Sequence, residues 1–259
     1  MGRDCVNYVV EEGIAVVTIS HPPANALDKK TTYELDQVFD ELAKDANAKI
    51  IVLTGAGGKI FVAGADISLF PEMGQEEGET FSLELQRVFN KIEGFDKVVI
   101  CAVNGMALGG GCELAMACDI RVATETAKFG QPEVNLGVIP GAGGTQRLPR
   151  IVSKGKAKEL IFTADMITAS EAKEIGLVDR VAPKGEAVDE AKKMAKKIMS
   201  KGPIAIRLAK KAIDEGINMT LGEGLKLEAK LFGELFTTED QKEGARAFLE
   251  KRAAQFKEK

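Results

Sequence analysis

The sequence predicts an α/β core followed by a helical C-terminal segment. Three observations carry that expectation. Short, charge-free runs rich in β-branched residues, such as Ile50 to Thr54 and Val98 to Val103, alternate with stretches whose apolar residues recur at helical spacing. Two turns are rich in glycine, Gly109-Gly110-Gly111 and Gly141-Ala142-Gly143-Gly144, and the first opens what reads as a helix from Gly111 to Cys118. Beyond about residue 150, helical pattern follows helical pattern, interrupted by one apparent strand at Leu177 to Val181.

In chain order, Val6 to Val10 and Ile14 to Ser20 flank Glu11-Glu12-Gly13 and read as an antiparallel hairpin. His21-Pro22-Pro23-Ala24-Asn25-Ala26-Leu27 is a loop, because proline cannot continue a ladder. Asp28 is placed to cap a helix whose apolar face is Leu35, Val38, Phe39 and Leu42. Phe61-Val62-Ala63 reads as a short strand. Pro71 to Thr80, acidic and glycine-bearing, reads as a mobile surface loop before a helix at Phe81 to Ile92. A strand follows the glycine-opened helix at Ile120 to Ala123. Pro132 biases Gln131 towards an extended backbone. Thr168-Ala169-Ser170-Glu171 is a capping-box start. The final helices are expected at Leu221 to Phe236 and Glu239 to Phe256, and some of their apolar surface is expected to meet another subunit.

Composition narrows the function. The 259 residues carry 35 Lys plus Arg against 39 Asp plus Glu, a formal net charge of −4, a poor footprint for nucleic acid. Lys192 to Lys211 is strongly basic but reads mainly as solvated helix faces. No apolar stretch is long enough to span a bilayer. Met1-Gly2-Arg3-Asp4 resembles neither a signal nor a transit peptide, and Val6 stands where a myristoylation pattern wants Ser or Thr. The expected location is the cytoplasm. Cys5, Cys101, Cys112 and Cys118 form no CxxC pair, and His21 is the only histidine. That inventory leaves room for carboxylate chemistry and predicts no metal.

The glycines suggest where such chemistry sits. Gly55-Ala56-Gly57-Gly58-Lys59 lacks the Ser or Thr and the spacing of a phosphate loop, and neither later turn fits a dinucleotide fingerprint. Unpaired N–H groups at a helix start can donate to a developing oxyanion. Glu113 lies three residues past Gly110, close to one helical turn. The residues alone also fit a tightly packed strand–helix turn with an ordinary first-turn glutamate.

Four segments resolve the choice by resemblance. Ala63-Gly64-Ala65-Asp66-Ile67, Asn104-Gly105-Met106-Ala107-Leu108-Gly109-Gly110-Gly111-Cys112-Glu113-Leu114, Phe129-Gly130-Gln131-Pro132-Glu133 and Ile139-Pro140-Gly141-Ala142-Gly143-Gly144-Thr145-Gln146-Arg147-Leu148 resemble the crotonase superfamily. Within it the likeness is to the enoyl-CoA hydratases, and it runs over nearly the whole chain. The resemblance implies a crotonase-like spiral of ββα repeats, spanning residues 1–195 and holding the acyl-CoA site. A C-terminal helical trimerisation region would span 196–259.

The same resemblance implies the chemistry. The backbone N–H groups of Ala65 and Gly110 would bind the thioester carbonyl oxygen. Glu113 would activate water and Glu133 would protonate C2, while Gly141 would help position the water. Ala24, Ala63, Ala65, Asp66, Ile67, Ser68, Gly110 and Gly141 would line the substrate, with Phe248 and Lys251 approaching the nucleotide of coenzyme A from a neighbouring subunit. His21 would be structural or a peripheral coenzyme A contact. Coenzyme A would arrive as part of the substrate, without a separate cofactor, and the assembly would be a homotrimer or dimer of trimers. Retention of both glutamates selects hydratase over the family's isomerases and other acyl-CoA lyases. A non-catalytic, RNA-binding homologue is the competing class, disfavoured by the acidic balance.

Overall fold

A computed structural model describes residues 3–68 and 70–259; the Met1-Gly2 pair weighed above as a leader or acylation site lies outside them. The chain divides into two compact units. The first contains the residues up to Phe95 together with Val99–Lys193, and the second contains Asp96–Val98 and Met194–Lys259.

The first unit opens with the hairpin β1 (Val6–Glu11) and β2 (Ile14–Ile19), turned by Glu12 and Gly13, both at positive φ. α1 (Lys29–Lys44) follows. Asp28 caps it by accepting from the Thr31 N–H at 2.6 Å, and Leu35, Val38, Phe39 and Leu42 form its buried face. Buried Glu34 accepts from the N–H groups of Cys5 at 2.7 Å and Val6 at 2.9 Å, tying α1 to the start of β1.

The chain then winds in repeated strand–strand–helix turns: β3 (Ile50–Gly55), β4 (Ile60–Val62) and α2 (Gln75–Glu93); β5 (Val99–Val103), β6 (Met106–Leu108) and α3 (Gly110–Met116); β7 (Ile120–Thr124) and β8 (Lys128–Gly130). Each turn gives one strand to each of two sheets. A 3-10 turn at Pro132–Leu136 leads through the second glycine-rich stretch to α4 (Gly144–Ile151) and α5 (Lys154–Thr163). β9 (Ile167–Thr168), α6 (Ala169–Glu174) and β10 (Arg180–Ala182) follow. The six-stranded sheet runs β1-β2-β3-β5-β7-β10, parallel beyond the first hairpin, and the four-stranded sheet runs β4-β6-β8-β9 with only β9 antiparallel. Parallel pairing requires a crossover after every strand, and these turns supply it. Phe39, Phe61, Phe89 and Phe129 are fully buried in the core.

Close glycine contacts let the turns pack. A Cβ on Gly111 would fall 2.0 Å from the Val62 carbonyl oxygen, and one on Gly55 2.2 Å from that of Phe61. Side chains there would force main chain apart.

Several expectations shift. Gln75 to Thr80 is not a loop but the first turns of α2: the Glu77 carboxylate accepts from the Gly74 N–H, and Glu76 and Glu77 favour the positive end of the helix dipole. The apparent strand at Leu177 to Val181 forms instead at Arg180–Ala182. β6 and β8 are only three residues long, too short for a periodicity to register.

α7 (Ala187–Met199) carries the chain across the boundary between the units. In the second unit, α8 (Pro203–Gly216) and α9 (Leu221–Leu235) approach closely at Gly216 and Gly224. α10 (Glu239–Leu249) ends seven residues before the expected Phe256. Lys251 adopts positive φ, Arg252 pairs with Glu243, and buried Asp240 accepts from the N–H groups of Lys257 and Glu258, so the tail folds back along α10. No described helix is long and apolar enough to cross a membrane.

Candidate active site

The site is built within the first unit, where the chain passes between its two sheets. The His21–Leu27 loop is strapped down by Asn25, which is buried at positive φ. Its Nδ2 donates to the carbonyls of Ala56, Ile60 and Phe61, each at 3.1 Å, and its Oδ1 accepts from the His21 N–H. The loop then pairs with the segment after β4. Ala63 N–H donates to the Ala24 carbonyl at 3.1 Å, Leu27 N–H to Gly64 at 2.9 Å, and Asp66 N–H to Leu27 at 3.2 Å. Asp66 turns the chain by accepting from Ser68 N–H, and Ile67 and Ser68 are exposed. His21 Nδ1 sits 2.9 Å from the Ala26 carbonyl oxygen and 3.1 Å from Thr31 Oγ1, a loop-fastening role.

This strap leaves the Ala65 N–H, between its two paired neighbours, without an acceptor among the described residues. Gly110 supplies the second free amide as the first residue of α3, whose own turns cannot satisfy it. The two lie side by side: a Cβ on Gly110 would stand 3.4 Å from the Ala65 nitrogen, and one on Gly64 3.8 Å from the Gly110 nitrogen. Gly64 at φ +113° and Gly109 at φ +50° provide the backbone geometry that aims them.

The carboxyls converge on the same place. Glu113, one turn into α3, is 2% exposed, and its Oε1 accepts from the N–H groups of Ala142 at 2.8 Å and Gly144 at 2.6 Å. Burial pushes its carboxyl up to about 6. The two N–H bonds and the Arg147 charge resist that rise. Glu133, in the turn after β8, has Oε1 3.0 Å from where a Gly109 Cβ would sit. Burial pushes Glu133 up to about 7; its own main-chain N–H opposes this and the Glu113 charge adds to it. Cys112 is a buried thiol pushed up to about 12 by burial and by both glutamates, so it stays protonated and is no nucleophile.

Two side chains in the quoted segments carry more of the site than their sequence signal suggested. Gln131 is 1% exposed, and its amide lies 2.8 and 3.1 Å from the Glu133 oxygens. With its nitrogen facing Glu133 it donates to the carboxylate; with its oxygen there it accepts from the acid, so it suits both protonation states. Arg147, also buried, donates to the Ala142 carbonyl at 2.9 Å, to Asn90 at 2.6 Å and to Glu93 at 2.7 Å. A glutamine before proline and an arginine in a short helix offer no pattern from which burial can be read. Only the fold supplies it.

Gly141 joins the group through its carbonyl, which accepts from Ser82 Oγ at 2.6 Å and Gln86 Nε2 at 2.8 Å. Phe248 and Lys251 belong to the second unit, Phe248 at 83% exposure. No cluster of three or more His, Cys, Asp or Glu suited to a metal ion occurs among the described residues.

Comparison with known proteins bears on this geometry. Residues 10–259 match the model of the enoyl-CoA hydratase/isomerase family. A short-chain-enoyl-CoA hydratase from Clostridium acetobutylicum is 52% identical over 249 residues, 95% of each chain. A crotonyl-CoA hydratase from Syntrophomonas wolfei is 51% identical, again over 95% of each. The crystal structure of an enoyl-CoA hydratase from Bacillus anthracis superposes with a TM-score of 0.94 at 40% identity, covering 99% of this chain and 100% of that one. One from Geobacillus kaustophilus gives 0.96 at 34% identity, covering 100% and 98%. With a family model spanning almost its full length and the same fold in its relatives, the chain belongs to the enoyl-CoA hydratase/isomerase family.

Proposed function

We propose that this protein is a hydro-lyase that adds water reversibly to short trans-2-enoyl-CoA thioesters, crotonyl-CoA foremost, giving 3-hydroxyacyl-CoA. The observation that carries the reading is the convergence of buried Glu113 and half-buried Glu133 on one pair of free main-chain amides, Ala65 and Gly110. The names of the 52% and 51% identical relatives support the choice of a short acyl group.

In this mechanism the thioester carbonyl oxygen lies between the Ala65 and Gly110 N–H groups. Each donor of this kind stabilises developing negative charge by about 2.7–4 kcal/mol. Ionised Glu113 takes a proton from water as the water oxygen bonds to C3. The C2=C3 electrons move into the enolate. The enolate collapses by taking a proton at C2 from neutral Glu133, and exchange with solvent restores both carboxyls. The two N–H donors on Glu113 favour its ionised form, whereas burial and the Glu113 charge favour neutral Glu133, which supports Glu113 as the base and Glu133 as the acid. Gly141 N–H, with no acceptor among the described residues, is assigned to the attacking water.

Ala24, Ala63 and Asp66 to Ser68 are assigned to coenzyme A, which enters as part of the substrate. Phe248 and Lys251 are assigned to its nucleotide end from a neighbouring subunit of a homotrimer or dimer of trimers. The proposed location is the cytoplasm.

The test is steady-state hydration of crotonyl-CoA. Glu113→Gln and Glu133→Gln should each lower kcat by a factor on the order of 10² to 10⁴ with acyl-CoA affinity largely kept. Near-wild-type turnover by either variant removes the mechanism. A shifted double bond in place of 3-hydroxybutyryl-CoA would make the enzyme an isomerase.

A further inference from the structure

Resting on the assignment of Glu113 as base, we propose that Ser82 and Gln86 on α2 are positioning residues for the Glu113 carboxylate, acting through the Gly141–Ala142 peptide. That peptide is a planar unit whose C=O and N–H point opposite ways. Glu113 Oε1 accepts from the N–H end, that of Ala142, at 2.8 Å. The C=O end, that of Gly141, accepts from Ser82 Oγ at 2.6 Å and Gln86 Nε2 at 2.8 Å. Gln86 also donates to Ser82 Oγ at 2.9 Å, which fixes the pair relative to each other. Donors on a carbonyl polarise the peptide and strengthen its N–H as a donor, and they hold its plane.

The arrangement extends along one stripe of the helix. Asn90 and Glu93 follow Gln86 at helical spacing and hold the Arg147 guanidinium, which caps the next carbonyl, that of Ala142. The Gly141–Ala142 peptide and the one after it are therefore fixed from α2, by side chains that touch neither carboxyl in the pair, while the Gly143 carbonyl, on the peptide that carries the Gly144 N–H, accepts from the Gln146 and Arg147 N–H groups of α4. The charged and titratable groups around Glu113 are Arg147 on α4, Glu133 in the turn after β8, and Cys112 on its own helix. Ser82 and Gln86 are uncharged, so their effect on the base is through geometry and polarisation of the peptide.

The experiment compares Ser82→Ala, Gln86→Leu, the double variant and Ser82→Thr, which keeps the hydroxyl. Hydration kinetics are read across pH, together with NMR titration of carboxyl-labelled glutamate in the resting protein. The double variant should lower kcat on the order of tenfold to a hundredfold while KM for crotonyl-CoA changes less than about threefold. Its Glu113 titration and the acid limb of its rate profile should move to higher pH, because a weakened N–H donor stabilises the ionised form less. Ser82→Thr should restore most of the single-site loss. A double variant with wild-type kcat and an unmoved Glu113 titration overturns the proposal, even where Glu113→Gln remains inactive. Loss of kcat with an unmoved titration and no rescue by Ser82→Thr overturns it equally, leaving only packing. The titration needs no turnover, so it reads this coupling separately from the assigned reaction.

Discussion

Glu113 and Glu133 share a region but not an environment. Glu113 is buried against two N–H donors and an arginine, whereas Glu133 has the Glu113 charge for a neighbour. Two predictions belong at this scale. The rate profile should be bell-shaped, rising as Glu113 ionises around pH 6 and falling as Glu133 loses its proton around pH 7, with apparent values that belong to the pair. Measuring kcat/KM for crotonyl-CoA from pH 5 to 9 checks it; a rate still climbing at pH 9 would show that no protonated carboxyl is needed and would remove Glu133 as the acid. The second concerns stability. A carboxyl raised in the folded state binds its proton before the unfolded chain does, so the folded state gains stability as pH falls through about 6 and bears the full penalty above it. For Glu113 that penalty is on the order of 2 kcal/mol. Glu113→Gln should therefore melt higher than wild type at pH 8, with the gap narrowing at pH 5. At this scale the candidate residues are legible, because four segments match a known family in order and spacing. Their supports are not: burial of Gln131 and Arg147 depends on contacts with residues many positions away.

Among the elements, α3 shows how tightly local structure is specified. Gly109 needs positive φ, Gly110 lies against the Ala65 amide, and Gly111 seats the helix on β4. Gly111→Ala places a methyl 2.0 Å from a main-chain oxygen, and relieving that clash means moving the helix start that carries both Gly110 and Glu113. The expected outcome is a loss on the order of 1–3 kcal/mol or more with a disproportionate fall in kcat; a melting temperature and turnover near wild type would show that the contact is soft. Strand and helix periodicity located β1, β2, β3, β5, β7 and α1 because each is long enough to repeat a pattern. Gln75 to Thr80 misled for a physical reason: acidic residues and glycine signal both a solvated loop and a well-capped helix start, and the Glu77 bond to Gly74 N–H decides for the helix.

For the molecule as a whole, the alternation of strands between two sheets was not readable from pattern, since parallel neighbours are set by crossovers rather than by adjacent sequence. The resemblance supplied it. The second unit leaves large apolar side chains uncovered within the chain, among them Ile217 at 75%, Leu221 at 79%, Phe232 at 63% and Leu249 at 80% exposure. Apolar surface on that scale fits the homotrimer or dimer of trimers proposed above. Light scattering on the purified protein should give three or six copies of the 27.7 kDa chain. Phe232→Glu should lower that mass or the stability of the assembly; a monomer for the wild type would refute the assembly.

The free amides of Ala65 and Gly110 have one more consequence. Every amino acid except proline brings the same N–H, so ordinary replacement cannot delete these donors; it can only displace them. The groups proposed to move protons, by contrast, are two exchangeable side chains. Mutational drift would therefore reach the acid–base half of the site long before the half that cradles charge, and an inactive descendant of this chain should still grip a thioester.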